Sequence, residues 1–219
     1  MAQDQEDADQ HGSAPSARPG PKRPHGAPSG PEDVREALLD AAERLFADHG
    51  VAHVSMRQIA EEADVQLALI WRYVGKRDDL IDQVYSRLTA KLVADLVERP
   101  LQPMGFERQT VMGRWTVLLT HYALTGKPIP DGPSDPVDTI ARTIMVSYGL
   151  DETAARIRAA QVVGSALGWR IFEPYLLAMA HLDEVPVTDL REDLTAIHRR
   201  IGASPWPTVD PDVATPPTA

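Results

Sequence analysis

Between Ser55 and Arg77 the sequence SMRQIAEEADVQLALIWRYVGKR sets a small group of side chains on what reads as one short helix. Arg72 has the fork to pair bidentately with guanine, and Gln66 the amide to pair with adenine. Ala68 and Leu69 are apolar and suit thymine methyl groups, and Leu67 is a fifth candidate that also falls on the helix's packing stripe. Every charged residue from Val65 to Arg77 is basic, namely Arg72, Lys76 and Arg77. The chemistry offered is recognition of base edges and phosphates, with no bond made or broken.

Such residues must be held by a scaffold, and the flanking sequence predicts one. Ser55 with Gln58 forms a capping box opening a helix whose inner face is Met56, Ile59, Ala60 and Ala63. A turn at Ala63-Asp64-Val65 leads to the next helix, where Leu67, Ile70 and Val74 continue a stripe at helical spacing. This is a helix-turn-helix. In front of it, Val34, Leu38, Ala41, Ala42, Leu45 and Phe46 predict a helix from Pro31 to His49, capped by Ser29 and stopped by Gly50. Behind it, a helix runs from Gly75, as N-cap, to about Glu98.

Beyond Pro100 the periodicity stays helical. One helix carries Trp115 and Tyr122; Asp135 caps another with Pro136 at its first position. A long apolar helix covers about Asp151 to His181, and a last one follows Thr188 as its cap. The fold class predicted is all-α: an N-terminal three-helix helix-turn-helix domain over 31–77, then a second helical domain over 78–202. Residues 1–30 and 203–219 are rich in Pro, Gly and small polar types, and read as disordered tails. Arg18, Lys22 and Arg23 have the makings of a basic arm, but a solvated tail is the preferred reading of that segment.

The segment from about Glu32 to Lys91 resembles the TetR family of bacterial transcriptional regulators. REALLDAAERLFADHG, SMRQIAEEADV and LIWRYVGKRDDLI stand in that family's order and spacing. The resemblance implies a homodimer that binds double-stranded DNA at a palindromic operator and is released by a small-molecule effector of unknown identity. It also implies phosphate contacts at Ser55, Arg57, Trp71, Tyr73 and Lys76. The chain departs from the pattern with Asp64 and Gln66 around Val65, Trp71 for the usual Tyr, and Val74 for the usual Phe.

In the C-terminal half, Trp115, His121, Tyr122, Arg142, Met145 and Tyr148 are candidates to line an effector pocket between helices. Gly164 and Gly168, with Ser165 and Trp169, let two helices approach closely. With Leu190, Leu194 and Ile197 of the last helix they form the expected dimer seam; packing within one chain is the competing reading.

Composition bounds the remaining classes. The chain of 219 residues has no cysteine, which removes disulfides, thiolate nucleophiles and thiolate metal sites. The histidines show no metal-ligand spacing, and no P-loop, nucleophile elbow or HExxH occurs, so no metal, cofactor or enzymatic activity is expected. With no apolar run long enough to span a bilayer, a cytoplasmic protein is expected. The net charge of −10 argues by itself against nucleic acid, and keeps open a sensor or enzyme on the same scaffold that has abandoned DNA.

Overall fold

The computed structural model describes residue 28 and residues 30–100, 106–132, 135–182 and 184–204. Among them there are eight α-helices and no strand: α1 Pro31–His49, α2 Met56–Glu62, α3 Leu67–Tyr73, α4 Arg77–Glu98, α5 Phe106–Thr125, α6 Pro136–Tyr148, α7 Glu152–Met179 and α8 Val187–Ala203. A short 3₁₀ turn, Val51–His53, joins α1 to the loop before α2. The tails, including Arg18, Lys22 and Arg23, lie outside the described residues.

Local chemistry accounts for most boundaries. The Ser55 hydroxyl accepts from the Gln58 N–H at 3.3 Å, and the Gln58 side chain accepts from the Ser55 N–H at 2.9 Å, closing the capping box of α2. Asp135 accepts from Val137 N–H, and Asp151 from Ala154 N–H, at the starts of α6 and α7. Gly149, at φ +69°, ends α6 in the left-handed conformation.

Three expected caps are corrected. The N-cap of α1 is Gly30, which has no side chain to donate or accept; Ser29 lies outside the described residues. The N-cap of α4 is Lys76 and not Gly75, because the Asp79 carboxylate takes the Lys76 N–H at 2.7 Å. In α8, Pro186 precedes the first helical residue, so Thr188 is already inside the helix and donates to Asp189 at 3.2 Å.

The core runs without a break across residue 77. Leu38, Phe46, Ile59 and Ile70 of the first three helices pack in one cluster with Leu80, Val84 and Leu88 of α4 and with Trp115, Leu118 and Tyr122 of α5. The short α2 and α3 cannot be stable alone at seven residues each, so this shared core holds them. A smaller cluster of Ala141, Ile144, Ala155 and Ala159 joins α6 to α7.

Gly75 links α3 to α4 at φ +83°, a region costly for any residue with a Cβ. A Cβ there would stand 2.6 Å from the Asp79 Oδ2 that caps α4. Gly75→Ala is therefore expected to cost about 2–3 kcal/mol, combining left-handed strain with a displaced cap. Asp79→Ala, which removes only the cap, should cost about 1 kcal/mol. Urea unfolding of the two variants measures the difference, and equal costs would show that the backbone at residue 75 relaxes.

Candidate functional site

The α3 helix is anchored by its back and presents its front to solvent. Ile70 and Val74 are fully buried, whereas Gln66, Ala68, Trp71 and Arg72 are exposed and Leu69 is half-buried. Leu67, which its spacing put on the packing stripe, is 42% exposed, so the stripe buries Ile70 and Val74 without it. Trp71 is 52% exposed, an unusual place for a large ring. Tyr73 is half-buried against the core and lies under the Arg72 guanidinium, 5.6 Å from its ring centroid.

Around this front stand the other polar candidates. Ser55 and Arg57 are exposed at the start of α2, and Arg57 pairs with Glu61 at 2.7 Å, an exposed ion pair that raises the Arg57 pKa. Lys76 is exposed where α4 begins. Asp64, where the family pattern favours glycine, has φ +52°; Asp is among the few side chains that tolerate this conformation. Its tight turn is closed by Val65 N–H donating to the Ala60 carbonyl at 2.9 Å.

Two residues that sequence reading placed otherwise, or passed over, hold α3 in register. Arg77 sits in the basic run, yet its guanidinium is half-buried and donates to the carbonyls of Val51 and Val54, tying α4 to the turn before α2. Gln83 donates to the Val74 carbonyl at the end of α3 at 2.8 Å, and its own oxygen accepts two bonds from Arg35 of α1 at 2.9 and 3.2 Å. Neither contact has a short-range sequence signature, since Arg77 and Gln83 reach across 23 and 48 positions.

The candidates for the effector pocket separate. Trp115 and Tyr148 line a cavity of about 160 Å3 between α4, α5, α6, α7 and α8. Tyr122 is buried elsewhere and donates to Asp82 of α4 at 2.5 Å. His121 faces a different, polar groove beside Gly50 and Arg170, where burial first, then Lys127, lowers its pKa. Arg142 is exposed and pairs with Asp138 at 3.1 Å; Met145 packs in the α6–α7 cluster. Among the cavity's other walls, Leu92, Ile140, Ile144 and Val162 are aliphatic residues with no distinguishing pattern in the chain, and Thr195, His198 and Arg199 of α8 add polar groups.

The candidates for a dimer seam also divide. Among the described residues, nothing beyond α7's own adjacent backbone lies within 4 Å of a Cβ added at Gly164 or Gly168. On the same face of α7, at three- and four-residue steps, follow Ile171, Tyr175 and Met179, all exposed, with Phe172 beside them. Ser165 meets His198 of α8 at 3.1 Å and Trp169 donates to Glu173 at 2.8 Å, so these two pack within the chain. Leu190, Leu194 and Ile197 are half-buried along α8.

An exposed helix carrying polar and aromatic side chains, locked behind a short capped helix in an all-helical chain, defines a helix-turn-helix protein. The model of the bacterial regulatory proteins of the tetR family matches residues 38–84, across α1 to α4. An HTH-type transcriptional repressor of Mycobacterium tuberculosis is 33% identical over 172 residues, 75% of this chain and 86% of the relative. The HTH-type transcriptional regulator BetI of Agrobacterium fabrum is 37% identical over 71 residues, 32% of this chain and 34% of its own. A TetR-family transcriptional regulator of Streptomyces coelicolor shares the fold, with a TM-score of 0.52 at 19% identity over 79% of this chain and 82% of that one. The chain belongs to the TetR family of helix-turn-helix transcriptional regulators.

Proposed function

We propose that the chain is a dimeric repressor whose paired α3 helices read a palindromic operator and which a small effector in the C-terminal domain releases. The observation that carries this is the front of α3, where Gln66, Ala68, Trp71 and Arg72 are exposed while Ile70 and Val74 hold the helix from behind. Arg72 and Gln66 read bases, Leu67, Ala68 and Leu69 meet thymine methyls, and Ser55, Arg57, Trp71, Tyr73 and Lys76 position the helix on phosphates. Repression is supported by the relative from Mycobacterium tuberculosis, whose name is that of a repressor.

Dimerisation follows from the same reading. Two recognition helices must meet successive major grooves about 34–36 Å apart, which one protomer cannot do. The stripe on α7 supplies a face for the second copy. An effector acts only through its preference for one spacing of the two helices over the other.

The test is titration of the DNA upstream of the chain's own gene at rising salt. Affinity should fall steeply with salt, by about 0.9 in logarithmic slope per phosphate contacted. Flat or absent binding would point to a sensor that has left DNA. Arg72→Ala should weaken the operator by about 1–3 kcal/mol and scrambled DNA much less. Equal loss on both sequences would move Arg72 from bases to phosphates.

A further inference from the structure

We infer that the C-terminal cavity takes a neutral, mostly apolar molecule about the size of one substituted six-membered ring, bearing a single hydroxyl or carbonyl. This rests on the reading that the domain holds an effector, and adds the effector's chemical class. The cavity's volume, about 160 Å3, is close to the roughly 150 Å3 at which a dry apolar cavity accepts a benzene ring.

The walls determine what may enter. Leu92, Trp115, Ile140, Ile144, Val162 and Ala166 offer carbon, and several polar groups among the lining residues are engaged by residues behind the wall. The Trp115 indole N–H donates to Thr89 at 3.0 Å, the Thr195 hydroxyl to the Arg191 carbonyl at 2.8 Å, and His198 meets Ser165 at 3.1 Å. Burial lowers the His198 pKa, so the ring stays uncharged near neutrality. No carboxylate is among the described lining residues, and the one cationic side chain among them, Arg199, is exposed and already engaged. A charged ligand would lose its hydration without a buried counter-charge to replace it. The Tyr148 hydroxyl, which has no partner among the described residues, is the group left to meet one polar atom of the ligand.

The cavity also lies where occupancy would be felt. Val162, Val163 and Ala166 line it from the face of α7 opposite Gly164, Gly168 and Tyr175, given about 100° per helical residue. One helix thus has the ligand on one side and the dimer stripe on the other, while Leu92 and Leu96 bring α4, the helix that follows α3, to the same wall.

Calorimetric titration of the full-length chain with 4-ethylphenol, ethylbenzene and 4-ethylbenzoate tests this. The two neutral probes should bind, and 4-ethylbenzoate should bind at least about tenfold more weakly. Ala166→Phe, which fills the cavity, should weaken both neutral probes at least about tenfold; Tyr148→Phe, which leaves the fold untouched, should weaken 4-ethylphenol alone. Equal or tighter binding of the benzoate, no binding of either neutral probe at millimolar concentration, or unchanged binding in both variants would overturn the inference. DNA binding is measured on the same samples. DNA binding without probe binding overturns the ligand class and leaves the regulator reading standing; probe binding without DNA binding supports the ligand class and counts against that reading.

Discussion

Glu43→Ala is expected to lower the unfolding free energy by about 2–4 kcal/mol, a large share of what a domain has to lose. Glu43 lies in the middle of α1 and is only 4% exposed, yet it is a carboxylate. It is tolerated because cations reach it from two other helices. Arg114 of α5 stands 2.6 Å from one oxygen, and Lys91 and Arg87 of α4 stand 3.2 and 4.0 Å from the other. Removing the carboxylate leaves Arg114 and Lys91 without it, while Arg87 keeps Glu36 and Asp40, and the uncompensated charge costs more than the pairing itself contributed. The cations keep some contact with water, so the cost falls toward the lower part of the range for buried pairs.

Thermal unfolding at fixed protein concentration should show a midpoint about 5–15 °C lower, given the usual entropy of unfolding for a chain of this size. A shift of less than a degree or two would mean that water replaces the carboxylate at no cost. Arg114→Ala should lose less, because Lys91 and Arg87 remain with Glu43. The double variant Glu43→Ala, Arg114→Ala should be more stable than the two separate losses predict, since the second change removes a charge that the first left unpaired. Because α1 packs against α2, α3 and α5, the same substitution should loosen the seating of α2 and α3 on α5.

Glu43 illustrates what the sequence did and did not disclose. It is one of several acidic residues on α1, with Glu36, Asp40 and Asp48, and its helical phase alone cannot say that α5 will cover it. The helices themselves were legible, because amphipathic spacing and capping pairs such as Ser55 with Gln58 are local. The exposed front of α3 was legible for the same reason, once Ile70 and Val74 were assigned to the back. Arg77 was not: a basic residue in a basic run carries the same local signature whether it faces a phosphate or two carbonyls more than twenty residues away. In the C-terminal half the cavity depends on five helices meeting, so Trp115 and Tyr148 could be selected by type, while His121 and Tyr122 on the same helix turned to other faces.

The proposed seam on α7 shows the same division and carries the largest expected functional effect. Small residues drew attention to Gly164 and Gly168, but the apolar mass of the stripe is C-terminal to them, at Ile171, Phe172, Tyr175 and Met179. A contiguous exposed apolar face of this kind on a helix marks a surface meant for a partner. Tyr175→Asp places a charge in its middle. Tyr175 is 67% exposed in the protomer, so the fold should be unchanged by circular dichroism and thermal midpoint should fall only as far as the lost dimer requires. Under the proposed dimeric reading, the parent should sediment as a dimer and the variant as a monomer. Operator affinity should fall by about 100-fold or more, because the second half-site is then bound as a separate event. Val146→Asp is the matched control: at 88% exposure on α6 and away from the stripe, it should leave both sedimentation and operator binding as they were. Gly164→Leu, at the small-residue end, should weaken the dimer by holding the helices apart without adding charge. A Tyr175→Asp protein that still sediments as a dimer would move the seam off this face of α7.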